Sequence, residues 1–479
     1  MPGLQIIVTM RSCRVLFFSA AAILTALLFG CSHNNRLQEV TVAYNAGDFS
    51  KAASAMLPVW EKYRSDDVDA VIFDLEEGSV SRAAGQTGTS IAAFNEAWDR
   101  MSPYYNGEAE TKVTEEVAAA FTNQLVRTYR GTTYDRIMSS TYQALNYLDT
   151  NEVGKAGVEF VRMRNWQEDA VAKERKRIDD ENQAWRAQNS KSSSGYDPDK
   201  TLKSPEFQAQ MKELYGPMSR FQGYSDYEIP AATWMRGVFY LARGEPSDFE
   251  QARQCFSRVA GMLGETNGVP ALADAQVAED VASGKPGARV CYIVLESGLA
   301  ASRREVRIDI PIFLRDVPYV GAAFPALVYH ENAVTGFTAT HANESCESKL
   351  LTDMDAVVTQ DFQNRLGSII IATLISSATK AAATYGMKEA AGDWGMVAGV
   401  VYQVAMNSAD LRTWTTLPKA FYYGRLILPE TPGEVTVTLS DGRKVGPFTP
   451  GAEPVSVVYI KSVAAGTAPN AHLLGIHRQ

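Results

Sequence analysis

The sequence predicts an α+β protein: N-terminal all-α helical repeats followed by a mixed β-sheet and helix C-terminal domain. Three observations predict it. From residue 36 to 283 the apolar spacing is helical, and small and aromatic residues recur at fixed separations. After the break Gly284-Lys285-Pro286-Gly287 the apolar residues alternate, as in Val290, Tyr292 and Val294 and again in Val306, Ile308 and Ile310, which marks half-buried strands. Residues 349–406 then return to a helical pattern before a second group of strands, so one sheet draws on both ends of the segment.

The N-terminus reads as an export leader. Arg11 and Arg14 precede an apolar run from Val15 to Phe29 that closes on the small residue Gly30. The run falls short of the roughly 20 residues a membrane-spanning helix needs. Leu28-Phe29-Gly30-Cys31 resembles the lipobox of bacterial lipoproteins. That resemblance implies a signal peptide over 1–30, cleaved after Gly30, and a diacylglycerol and N-acyl lipid on Cys31. No other cofactor is expected. A lipidated tether over 31–35 would follow. Ser32 stands where an aspartate would, by the enterobacterial sorting rule, retain the protein at the inner membrane, so the expected location is the outer membrane, facing the periplasm.

The formal charge of −9 becomes −11 without Arg11 and Arg14, leaving 44 basic against 55 acidic residues. So acidic a chain argues against nucleic acid or anionic lipid as the main partner. Its 479 residues exceed a single ordinary core. Cys13 leaves with the leader and Cys31 takes lipid, which leaves Cys255, Cys291 and Cys346. From an odd count both a Cys291–Cys346 bridge and free buried thiols stay open.

The repeat region spans 36–283. Its first unit offers Gly47, Asp48, Phe49 and Ala52. In the second, Gly78, Gly85, Phe94 and Ala97 sit at the separations of a tetratricopeptide (TPR) unit, with Ser90 in place of a small alanine and Pro103 at the close. Ala144, Tyr147, Ala156 and Phe160 make a third. Trp234, Gly237, Tyr240 and Gly244, then Ala252 and Phe256, make a fourth. Small residues are needed at such places because paired helices approach closely only there. Between the third and fourth units a charged helix is expected from Arg164 to about Arg186, carrying Lys173-Glu174-Arg175-Lys176-Arg177 as a solvated face or a basic docking stretch. A disordered loop is expected over 188–204, where the sequence is rich in Ser, Gly and Asn.

The second domain is expected over 288–465, with a trailing tail at 466–479. Its inserted helices run from Leu350 to Arg365, through the apolar Ile369–Ile375 stretch, and from Trp394 to Met406. The apolar stretch is too short to cross a bilayer and precedes Lys380, which favours a buried core helix. A membrane-inserting hairpin turning at Gly386 and Gly392–Gly395 is the alternative. Strands resume over Ala420–Leu428 and Gly433–Leu439, and Asp441-Gly442 signals a hairpin before Val445 and Val455–Ile460.

These residues together carry a resemblance. The lipobox, Tyr44-x-x-Gly47-Asp48-Phe49, Ala144-Leu145-Asn146-Tyr147-Leu148 with Ala156-x-Val158-Glu159, and Ala409-Asp410-Leu411-Arg412-Thr413-Trp414-Thr415-Thr416-Leu417-Pro418 are similar to a family of uncharacterised bacterial TPR-containing lipoproteins. The similarity covers nearly the whole mature chain, and the last motif is its most specific part. Members tend to be encoded beside small lipoproteins, some related to the curli secretion pore, so the resemblance implies envelope proteins of that kind as partners. The chain departs from the family at Ile369 and its neighbours, where arginines are usual.

Residues with chemistry are few. His33, His330, His341, His472 and His477 lie at no metal-ligand spacing, and no nucleophile elbow, phosphate loop or dinucleotide fingerprint is present. No catalytic residue and no metal site is assigned, although a carboxylate pair for glycan cleavage would leave no linear signature. For partner binding the candidates are Glu159, Arg162 and Arg164 on one helix, the first two able to pair, together with Arg412 and Trp414, which read either as a docking surface or as a latch between the last helix and the returning sheet. The expected function is a lipid-anchored scaffold that grips an envelope protein through its repeats. A peptidoglycan- or carbohydrate-binding lipoprotein and a membrane-inserting secretion accessory are the alternatives.

Overall fold

A computed structural model describes residues 33–475 except 67, 106–116, 118–126, 193, 225–226, 286, 315–316, 332, 407 and 430–432; for 314, 317–318 and 386–406 it describes the backbone alone. The leader and Cys31 lie outside the described residues.

Where the tether is expected, His33–Arg36 already form a helical turn with His33 buried. Helices α1 (Gln38–Asn45) and α2 (Phe49–Tyr63) follow. Gly47 turns the chain at φ +75°, and the Asp48 side chain caps α2 by accepting from the Lys51 N–H at 3.0 Å. The next pair is α3 (Ala70–Ala83) and α4 (Thr87–Tyr105). A Cβ on Gly78 would lie 2.5 Å from the Phe94 ring, and the Ser90 hydroxyl donates to the Gly78 carbonyl at 2.6 Å, so the expected small positions are where the two backbones meet. Then come α5 (Thr133–Asp149), opened by a Thr132/Asp135 capping box, and α6 (Val153–Lys191). After short helices α7 (Pro198–Lys203) and α8 (Pro205–Tyr215), the array resumes with α9 (Pro230–Arg243), α10 (Asp248–Asn267) and α11 (Val269–Ala282). Gly237 sits on Phe256 as Gly78 does on Phe94.

The disordered loop expected over 188–204 is therefore largely helical. Asp197 and Ser204 are the reason: each begins a new turn by accepting from the N–H two or three residues on.

The C-terminal strands are β1 (Arg289–Ser297), β2 (Ser302–Leu314), β3 (Val317–Val328), β4 (Phe337–His341), β5 (Glu344–Glu347) and β6 (Lys349–Asp353). Helix α12 (Met354–Met406) leads to β7 (Ala420–Leu428), β8 (Val435–Leu439), β9 (Lys444–Phe448), β10 (Val455–Ser462) and β11 (Asn470–Leu474). One sheet runs β11-β10-β1-β7-β6 and a second β5-β4-β8-β9, while β2 and β3 form a separate long hairpin. β1 lies parallel to β10 and antiparallel to β7, which unites the two ends of the segment as expected. Both faces of β1 are buried: Tyr292 and Val294 meet the repeats, and Cys291, Ile293 and Leu295 meet the second sheet. The expected tail is partly a strand, since β11 pairs with β10 from Lys461↔Asn470 to Val457↔Leu474. Residues 349–353 are strand and not helix, because they complete the sheet edge against β7.

Two long helices carry an arm beside this body. The far half of α6, α7, α8, the β2–β3 hairpin and the first half of α12 share a core of Trp185, Phe207, Ile310, Phe324, Leu374 and Ile375. The Ile369–Ile375 stretch is thus core, as the buried-helix reading expects. Straight, the 53 residues of α12 would span about 80 Å. Yet Asp355 accepts from the Ala301 N–H at 2.8 Å and Glu305 from the Ala409 N–H at 3.0 Å, and 301 and 305 are at most about 14 Å apart. The helix bends back on itself. Gly386 and Gly392–Gly395 are helical in backbone, with no loop between.

Candidate functional site

The inner face of the repeats is occupied by the chain itself. Thirteen of the 14 residues of α3 and 16 of the 17 of α5 are buried, so these helices are enclosed on all sides. What encloses them is the sheet and the 409–419 segment. Trp414, 1% exposed, packs edge-on to Tyr142 and against Phe94, with ring centroids 5.9 Å from each. Buried Glu76 accepts from the Thr415 N–H at 2.6 Å and from the hydroxyls of Thr415 and Thr416 at 2.7 Å. Tyr44 donates to the Thr416 carbonyl at 3.3 Å.

Arg412 locks the segment's upstream end. Its guanidinium pairs with both oxygens of Asp410 at 2.9 and 2.8 Å and with Asp69 at 3.1 Å, and donates to the Arg127 carbonyl at 2.8 Å. Burial pushes Asp410 up, but Arg412 outweighs it and holds the carboxyl well below the usual range. The docking-surface reading of Arg412 and Trp414 is thereby corrected: both side chains are inside, and they act as the latch. Its other half is the repeat array as well as the sheet.

The remaining candidates do not gather. Glu159 is buried and takes Arg162 at 2.5 Å, while the Arg162 guanidinium lies 4.2 Å over Trp98. Arg164 points elsewhere on α6 and pairs with exposed Glu168 at 2.7 Å. These are helix-surface pairs and not a site. Cys255, Cys291 and Cys346 are free thiols, and burial pushes Cys291 up to about 12. Among the described residues no cluster of metal-binding side chains occurs.

A cavity of about 610 Å³ opens where the arm joins the body. The 127–132 segment, α6, α12, Arg303 of β2 and the Asp410–Arg412 latch line it. The cations are Arg127, Arg130, Lys173, Lys176, Arg177, Arg303, Arg365 and Arg412, eight against the four acids Glu174, Asp180, Glu181 and Asp410. Arg127 makes two bonds to Glu181, at 2.6 and 2.8 Å, and despite burial drives that carboxyl down to about 2. Glu174 is buried and shared by Arg136, Arg177 and Arg365, which outweigh the cost of its burial and lower it. Tyr104, Tyr105 and Tyr129 stand beside the arginines, with Arg177 4.6 Å over Tyr105. Ile178, Ala184, Trp185, Ile369 and Ala372 contribute the apolar part of the lining.

Of these lining residues the sequence singled out the 173–177 run and Arg412. It missed Arg127, Arg303 and Arg365, which come from separate elements with no shared motif. Glu76 and Asp69, the partners of the latch, were also missed, although a carboxylate at the centre of an apolar helix such as α3 is a signal that it meets a donor.

The helix pairs define an N-terminal helical-repeat body, with the α+β domain packed against it. No family model and no curated relative matches the chain. Among solved structures it is similar to a tetratricopeptide repeat protein from Parabacteroides merdae, 14% identical, over 52% of this chain and all of that one, with a TM-score of 0.14. So loose a superposition adds nothing to the assignment, which rests on the contacts of Gly78, Phe94, Gly237 and Phe256.

Proposed function

We propose that the protein is a lipid-anchored, periplasm-facing scaffold of the outer membrane, not an enzyme, whose partner docks on the arm and not in the repeat groove. The observation that carries this is the occupied groove: Trp414 and Glu76 already fill the surface that a repeat array offers to peptides. At the hairpin end of the arm two aromatic residues are exposed, Phe313 at 56% and Tyr319 at 50%. Phe313 also adopts φ +49°, a strained conformation for a bulky residue of the kind that clusters at functional sites.

The anchor reading sharpens the geometry. His33 is buried against Phe73 and Glu76, only two residues after Cys31. A lipid on Cys31 would leave about 7 Å of chain before the body begins, so the body would lie flush on the bilayer and not swing on a tether. Envelope proteins, small lipoproteins among them, are the proposed partners. The wall-binding alternative asks for an exposed aromatic platform beside paired carboxylates; Phe313 and Tyr319 are exposed, whereas Trp60, Trp166, Trp185, Trp234 and Trp414 are buried.

The test is crosslinking and affinity capture from native envelopes with the lipidated chain, a Phe313→Ser/Tyr319→Ser variant and a Cys31→Ala control. Capture of one or two defined proteins, lost with the hairpin variant, supports the reading. Capture unchanged by that variant overturns docking on the arm, and retention of glycan alone overturns the scaffold.

A further inference from the structure

The basic cavity at the foot of the arm is unlike the rest of the molecule. The chain as a whole carries −9, yet the lining holds eight cations and four acids, an excess of four positive charges. Several cations are neutralised in place, Arg127 by Glu181 and Arg365 by Glu174. Arg303 is answered less fully: its guanidinium lies 5.5 Å from the Phe362 ring centroid and feels the charge of Asp410, but its Nε is buried without a hydrogen-bond partner among the described residues, and Asp410 already takes two bonds from Arg412. A buried guanidinium N–H without an acceptor costs free energy that an anion would recover.

The same cavity also has an apolar part to its lining. Ile178 and Trp185 from α6 and Ile369 and Ala372 from α12 supply it. At about 610 Å³ the cavity is of the size that holds a small ligand, and its two kinds of lining ask for two chemistries in one molecule. Free phosphate would leave the apolar lining wet, and a neutral hydrocarbon would leave the Arg303 Nε unanswered.

We propose that this cavity binds an anionic amphiphile: a phosphate or carboxylate headgroup on the Arg303 side and an aliphatic chain along Ile178, Trp185 and Ile369. The proposal is independent of the arm-docking reading and needs no lipid on Cys31. If that lipid is present, the bilayer is the nearest source. Asp69 links the N-terminal turn to the cavity wall, accepting from Arg36 at 3.0 Å and from Arg412 at 3.1 Å.

The test is calorimetric titration of the mature chain carrying Cys31→Ser, with dodecyl phosphate below its micelle concentration, inorganic phosphate and dodecyl maltoside as probes. Dodecyl phosphate should bind about a hundredfold tighter than inorganic phosphate, because several methylenes leave water. Arg303→Gln should weaken it about tenfold, consistent with loss of one charge-assisted contact. Ala372→Phe, which fills the apolar part of the lining, should weaken it as much, and thermal melting verifies that each variant is folded. Equal affinity for inorganic phosphate, or for the uncharged maltoside, overturns the assignment. So does wild-type affinity for dodecyl phosphate in both folded variants.

Discussion

The repeat body and the arm are both built around long helices, but they spend their polar groups differently. In the body several ionisable side chains point inward and are paired: Glu76 holds the 415–416 backbone and hydroxyls, Arg412 ties Asp410 to Asp69, and Lys461 meets Glu296 at 2.6 Å between sheet and repeats. In the arm the interior is apolar, and the charges collect at its foot around an open cavity, while aromatic residues stand exposed at the hairpin end. A region whose polar groups are mostly answered from within, Glu77 being an exception, is a platform. One that leaves an arginine N–H and two aromatic rings unanswered is where ligands would be met.

The largest expected break in that contrast comes from Trp414→Ala. Trp414 lies between two helix pairs and the sheet, so its removal leaves a cavity that no single element can collapse into. A loss of about 3–5 kcal/mol of unfolding free energy is expected. Denaturant unfolding of the full chain measures it, and a change below about 1 kcal/mol would mean the groove is only loosely occupied and open to exchange with a peptide in trans.

How much of this was legible beforehand follows the same division. Helix pairing in the body was readable because close approach demands glycine or alanine at Gly78, Ala97, Gly237 and Ala252, a local requirement with a local signature. The β1, β7 and β10 strands were readable from alternation and the Asp441-Gly442 turn. The arm was not, because its core joins Trp185 and Phe207 to Ile310 and Ile375, more than a hundred residues further on, and no local pattern links them. Alternation also misled at β1, where a strand buried on both faces still carries Tyr292 and Val294 at every second place. The 409–418 motif stood out in sequence, but its role depended on Glu76, and nothing local links the two.

A second prediction tests whether the platform is truly closed to water. Glu77 on α3 is fully buried, takes only the Ser81 hydroxyl at 2.6 Å, and has one oxygen without a partner among the described residues. Burial, with Glu61 nearby, pushes it up from an ordinary 4.5 to about 7. With the folded value above the unfolded one, the native state holds its proton more tightly. Its contribution is therefore full below about pH 4.5 and is lost as pH rises to 7. Glu77→Gln should leave stability unchanged below pH 4.5 and raise it above pH 7 by about 3 kcal/mol at most, the worth of such a shift. Unfolding measured at pH 4 and pH 8 checks this. Equal effects at both would show that water reaches Glu77.

The smallest effect belongs to the arm. Phe313 holds φ +49° with its ring in solvent, so the fold gains little from the side chain and bears its backbone strain. Glycine adopts that conformation without a Cβ penalty, though it also frees the unfolded chain. Phe313→Gly should therefore change unfolding free energy by no more than about 1 kcal/mol, most simply as a slight gain, whereas any Phe removed from the body would cost several times that. The same variant should capture less of the envelope partner. If it instead loses several kcal/mol and keeps its partner, the hairpin end is a structural element like the groove, and the division between platform and reader fails at the residue where it is drawn most sharply.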